Sequence, residues 1–136
     1  MIIRGYQELD YPQVEKLYKN SSLFGGQFDM SRDSQEQLKK LIEHKPEAIL
    51  VAESDGEIVG TVTLFEDGRS AWLYRFATLN NKTSEALFLR AKEILKSKGH
   101  TQVLVYAPAG DKQFEERYRS LGFNKGNDYT VYWQNL

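Results

Sequence analysis

The chain has 136 residues, 40% hydrophobic and 27% charged, with a formal net charge of −1; this suits one globular domain with a single core, and no basic face points to nucleic acid. It has no cysteine, which removes disulfide and thiolate chemistry, and its two histidines have no partners at ligand spacing, so no structural zinc site is expected. No apolar run approaches the ~20 residues that a membrane span needs, and Met1-Ile2-Ile3-Arg4 reads as a strand rather than a secretory signal, so a cytoplasmic protein is expected.

Ile2, Ile3 and Tyr6 predict a first strand. Asp10-Tyr11-Pro12-Gln13 predicts a helix start, with Asp10 as N-cap, Pro12 in the first turn and Gln13 at the capping-box position. Val14, Leu17 and Tyr18 make the buried stripe of that helix, which stops near Asn20. Residues 21–30 predict a loop around Leu23-Phe24-Gly25-Gly26-Gln27-Phe28, in which two glycines give mobility while the large apolar side chains want cover. Such a loop either packs its own aromatics over the core or covers a substrate, with Phe24 or Phe28 touching the ligand. A second helix starts near Ser31 or Asp33, carries Leu38, Leu41 and Ile42, and ends before Pro46, with His44 in its last turn.

Residues 48–53 and 57–65 read as a hairpin about Ser54-Asp55-Gly56, with Gly60 marking a bulge or a close backbone approach. Asp67-Gly68 turns the chain into a strand at 72–79, aromatic and apolar on both alternating faces, as in a strand covered on both sides. Asn80-Asn81-Lys82-Thr83 is a polar turn. The helix at 84–98 carries Leu87, Ala91, Ile94 and Leu95 on one stripe, widened by Phe88, and Gly99 sits at its left-handed cap. A strand at 103–107 then completes a right-handed parallel crossover. A helix start facing the carboxyl end of a strand is a place where such proteins bind anions and cofactors. Asp111 caps a short helix bearing Phe114, Arg117 and Tyr118, and a last strand is expected at 129–133. The order βααβββαβαβ makes 1–136 one α/β domain with a mixed sheet and helices on both faces.

This order, with Asp55-Gly56-Glu57-Ile58-Val59-Gly60, Lys96-Ser97-Lys98-Gly99 and Phe114-x-x-x-Tyr118-Arg119-Ser120-Leu121-Gly122-Phe123, resembles the GNAT superfamily of acyl-CoA-dependent N-acetyltransferases over essentially the whole chain. The resemblance implies a mixed, mostly antiparallel sheet with a parallel splayed strand pair. It also implies acetyl-CoA as co-substrate and the primary amine of a small molecule or peptide as acceptor. By the same resemblance, backbone groups of Phe76, Ala77, Thr78 and Leu79 hold the pantetheine arm, and Tyr118 is the general acid that protonates the departing thiolate. A phenol suits that role, being a neutral donor at pH 7. Periodicity alone equally allows Tyr118, four residues after Phe114, to be a core aromatic.

The family's R/Q-x-x-G-x-G/A loop has no counterpart. Residues 78–87 read Thr-Leu-Asn-Asn-Lys-Thr-Ser-Glu-Ala-Leu, with neither arginine nor glycine, and the connection is about four residues shorter than the family's. In one reading Lys82, Thr83, Ser84 and the helix dipole still meet the pyrophosphate, against the opposing carboxylate of Glu85. In the other, CoA binding is lost and the chain is a non-catalytic binding or regulatory module acting through its 23–30 loop. Glu53, Glu66 and Tyr74 lie on or near the central strands as unassigned candidates for the amine-activating base, and Asp111 is sufficiently explained as a helix cap. Tyr132 and Trp133 are candidates for a homodimer contact.

Overall fold

The computed structural model describes residues 1–21 and 28–136, which fall into two compact units, Met1–Tyr106 and Ala107–Leu136. In the first, the order is β1 (Ile2–Gly5), α1 (Tyr11–Asn20), α2 (Met30–Asp33), α3 (Gln35–His44), β2 (Ile49–Ser54), β3 (Glu57–Glu66), β4 (Ala71–Thr78), α4 (Asn81–Ser97) and β5 (Leu104–Val105). The strands form one sheet in sequence order, antiparallel throughout except for the parallel pair β4–β5. This is the mixed, mostly antiparallel α/β architecture expected from the sequence.

Local chemistry accounts for most boundaries. Asp55 and Gly56 both take positive φ, 51° and 79°, which is the two-residue turn that matches the twist of a hairpin. Gly99, at φ 90°, ends α4, and the His100 N–H reaches back to the Leu95 carbonyl at 3.1 Å, satisfying a terminal acceptor. Val14, Leu17 and Tyr18 of α1 pack with Leu38, Ile49, Val51, Ile58 and Ala77. Alternation sends Leu50, Ala52, Val62 and Leu64 to the other face of the sheet, and α4 packs on β2, β3 and β4.

Several expectations change. Asp10 does not cap α1 through its side chain; it accepts from the Gln7 N–H at 2.8 Å and binds Arg4 through both oxygens, at 2.8 and 2.9 Å. A guanidinium fork outcompetes one backbone amide for a carboxylate. Leu41 is exposed, so α3 buries only Leu38 fully, with Ile42 half-buried. The helix expected from residue 84 begins at Asn81, because Asn80 is the cap. The strand expected at 103–107 has only Leu104 and Val105 in register with β4.

Gly60 carries both features foreseen for it. Val59 is the extra residue of a bulge, since Ala52 pairs with Gly60 and Glu53 with Ile58. A Cβ on Gly60 would also stand 2.6 Å from Thr83 Cγ2 and 3.0 Å from Leu87 Cδ1, so the absent side chain lets α4 rest directly on β3.

At the far end of β3, Glu66 gathers three nitrogen partners: His100 Nε2 at 2.6 Å, Lys98 Nζ at 2.9 Å and Lys45 Nζ at 3.6 Å. The bond to His100, then that to Lys98, holds its carboxyl down at about 2. This cluster ties β3 to the ends of α3 and α4.

In the second unit, Asp111 Oδ1 accepts from the N–H groups of Gln113 and Phe114 and caps α5 (Lys112–Ser120). The strand expected at 129–133 is not formed: residues 121–136 carry neither helix nor strand, and Tyr129, Val131, Tyr132 and Trp133 are exposed. Alternation supplies only propensity, whereas a strand is held by cross-strand pairs.

Two stability measurements check this account. Gly60→Ala lowers unfolding free energy by about 1–3 kcal/mol in denaturant melts, because the buried, β-branched Thr83 cannot yield to the new methyl. Glu66→Gln is destabilising at pH 7. Its deficit against wild type narrows as pH falls from 4.5 towards 2, since a carboxylate with a depressed folded-state pKa contributes above its unfolded pKa and loses that contribution as acid protonates it. Urea melts across that range read the narrowing.

Candidate functional site

The parallel ladder between β4 and β5 contains two pairs, Trp72 with Leu104 and Leu73 with Val105. β4 continues to Thr78, bonded to β3 but with no strand partner on its other side among the described residues. The two strands diverge here, as the resemblance implied. Exposed, polar Thr101 and Gln102 precede β5 and Pro108 follows shortly after it, so its pairing has little room to extend.

β4 is also broken in its alternation. Thr63 pairs with Tyr74 and Thr61 with Ala77, so Arg75 and Phe76 together face Val62 alone. Arg75 takes φ 50°, a left-handed conformation costing about 1–2 kcal/mol for a residue with a Cβ. The bulge lies two residues past the last pair with β5. It puts Tyr74 and Ala77, rather than Tyr74 and Phe76, on one face. The expectation of uniform two-faced burial along 72–79 gives way to this geometry.

Of the predicted pantetheine contacts, Phe76, Ala77 and Thr78 are buried, so any ligand contact from Phe76 and Ala77 would come through the backbone. Leu79 is exposed, and its N–H is already given to the Val59 carbonyl at 3.1 Å. Only Leu79 and Asn80 separate β4 from α4. Asn80 Oδ1 accepts from the Thr83 N–H at 2.9 Å and from Thr83 Oγ1 at 3.0 Å. Ser84 Oγ lies 2.6 Å from Thr78 Oγ1. The hydroxyl of Ser84 therefore turns inward while that of Thr83 is tied to the Asn80 cap, and both residues are buried. The N–H groups of Asn81 and Lys82 precede the first intrahelical bond, from the Ser84 N–H to the Asn80 carbonyl. The Lys82 side chain is exposed, as is that of Glu85 one residue past Ser84.

Beside the divergence stands a group of rings that sequence reasoning did not assemble. Trp72 and Tyr106 stack at 4.8 Å between centroids, Tyr74 and Tyr106 at 5.7 Å, and Phe65 lies 5.4 Å from Tyr74. Burial, then a hydrogen bond with Tyr106, pushes the Tyr74 phenol up to about 12, so it is protonated at pH 7. The available signal was the i, i+2 spacing of Trp72 and Tyr74; Tyr106 joins them only through the parallel register.

Two of the three unassigned base candidates are ion-paired: Glu53 with Arg4 at 3.2 Å, and Glu66 in its cationic cluster at the remote end of β3. Phe28 packs partly buried against the α1 core, with Lys19 Nζ 4.7 Å from its ring centroid. Phe24 lies outside the described residues.

In the second unit, Tyr118 is half-buried on α5, with ring centroids 6.0 Å from Phe114 and 5.5 Å from Phe123. Burial raises its pKa, opposed by Arg117, so the phenol stays a proton donor at neutral pH. No group of three acidic or histidine side chains suited to a metal occurs among the described residues. No helix among them is long and apolar enough to cross a membrane.

No protein-family model matches the sequence, and no curated protein sequence matches it. Solved structures do. An aminoglycoside antibiotic 6'-N-acetyltransferase from Acinetobacter haemolyticus superposes with a TM-score of 0.78 at 16% identity, covering 100% of this chain and 99% of its own. PaiA N-acetyltransferase from Thermoplasma acidophilum, solved in complex with coenzyme A, gives 0.74 at 20% identity, covering 88% and 87%. Ribosomal-protein-alanine N-acetyltransferase from Brucella melitensis gives 0.71 at 21% identity, covering 93% and 86%. At these identities the likeness is one of fold, and the chain has the fold of the GNAT N-acetyltransferases.

Proposed function

We propose that this chain is an N-acetyltransferase that carries an acetyl group from acetyl-CoA to the primary amine of a small molecule or peptide. The observation that supports this most is the stretch 74–78 of β4, which has parted from β5 while β3 still holds it rigid. Backbone groups at fixed spacing along such a strand suit the amides of a pantetheine arm, and a bulge re-aims the chain where the thioester would end. In this reading residues 76–79 hold the arm. Lys82 and the N–H groups of Asn81 and Lys82 meet the pyrophosphate, and Thr83 and Ser84 fix the turn that presents them. The tight, glycine-free turn offers fewer amides than a phosphate nest, so affinity rests more on the strand.

The chemistry then needs little beyond positioning. The amine lone pair attacks the thioester carbonyl carbon, and backbone N–H groups hold the resulting oxyanion. The carbon–sulfur bond breaks with its electron pair on sulfur, and Tyr118 gives that sulfur its phenolic proton. The surplus proton of the amine goes to solvent, which reprotonates the phenolate.

Thermal unfolding with and without acetyl-CoA tests binding. Ligand at ~100 times its dissociation constant adds about 2.7 kcal/mol, a rise of several degrees for a chain this size. No rise at millimolar acetyl-CoA points instead to a non-catalytic module. Where the rise occurs, Tyr118→Phe keeps it while thiol release from acetyl-CoA falls by about 10²; unchanged release removes Tyr118 from the reaction.

A further inference from the structure

Arg75 occupies the one β4 position whose backbone suits glycine better than any residue with a side chain. Its side chain is engaged. Nε donates to Asp33 Oδ1 and Nη2 to Asp33 Oδ2, both at 2.9 Å, as a two-pronged fork. Asp33 closes α2 and is 3% exposed. It is itself held: Oδ2 accepts from the Asp29 N–H at 3.0 Å, and its backbone carbonyl accepts from the Tyr11 hydroxyl at 2.9 Å. Tyr11 lies at the start of α1, which packs on β3 and β4. The carboxylate is thus fixed from its own side before it meets the guanidinium.

We propose that Asp33 and Arg75 are a positioning pair that sets the β4 bulge beside the diverging strands, fixing how the backbone at Arg75–Phe76 meets the acyl group of a bound thioester. This rests on the acetyltransferase reading and deepens it. Neither residue is catalytic: the fork is spent on the carboxylate, and the pair acts through the backbone it pins. A buried ion pair seldom adds net stability over apolar packing but does select one geometry, and a left-handed residue on a strand needs that selection. The pair also links the end of α2, through Asp33, to the strand that would carry the thioester.

The test separates binding from turnover in the full-length chain. Acetyl-CoA affinity is measured by titration calorimetry. Thiol release from acetyl-CoA is measured with water alone and with a polyamine, an aminoglycoside and a lysine-rich peptide as amines. Asp33→Asn removes the charge from the pair, and Arg75→Gly removes the fork while tolerating the positive φ. Each is expected to lower kcat at least tenfold while the acetyl-CoA dissociation constant moves less than threefold, and Asp33→Glu is expected to recover part of the loss. Turnover unchanged in a folded variant, or affinity and turnover falling together, overturns the positioning role. Wild-type chain that neither binds acetyl-CoA nor releases thiol overturns the acetyltransferase reading first and this inference with it, an outcome visible before any variant is made.

Discussion

A strand in the middle of a sheet ordinarily pairs with a strand on each side; among the described residues β4 does so only at Trp72 and Leu73. From Tyr74 onward β3 supplies one row of hydrogen bonds and β5 supplies none. One-sided strand pairing is thus confined to the carboxyl end of β4. The short Leu79–Asn80 link sets the start of α4 at the same end of the sheet, and the bare Cα of Gly60 lets that helix start press against β3.

The charged side chains do a second job, holding the frame rather than filling the gap. Arg4 joins Asp10 to Glu53, Arg75 joins β4 to α2, and Glu66 joins β3 to the ends of α3 and α4. Two carboxylates that sequence position alone made candidates for a base are committed to these ties. What stands near the divergence is aromatic: Trp72, Tyr74 and Tyr106, with the Tyr74 phenol kept protonated.

The turn at the start of α4 closes without glycine. Glycines are needed in a phosphate nest because successive amides must converge. Here Asn80 caps the helix with its side chain and ties the Thr83 hydroxyl, Ser84 bonds inward, and the turn closes in two residues. The helix dipole and the leading amides are present there because they belong to any helix start.

Local physics, written directly in the sequence, determined the order of strands β1 to β5, the Asp55-Gly56 hairpin, the Gly99 cap, the Asp111 cap and the apolar stripe of α4. Each is decided within a few residues by φ preference, capping or helical spacing. Tertiary structure decided the rest. The bulge at Arg75 arises from pairing with Val62, the Arg75–Asp33 fork joins residues 42 apart, and Tyr106 meets Tyr74 only because the parallel ladder ends where it does. The 129–133 segment makes the same point in reverse: alternation there promised a strand, and none forms. Propensity is a property of neighbours in the chain, whereas pairing, register and burial belong to neighbours in space, and only the fold chooses those.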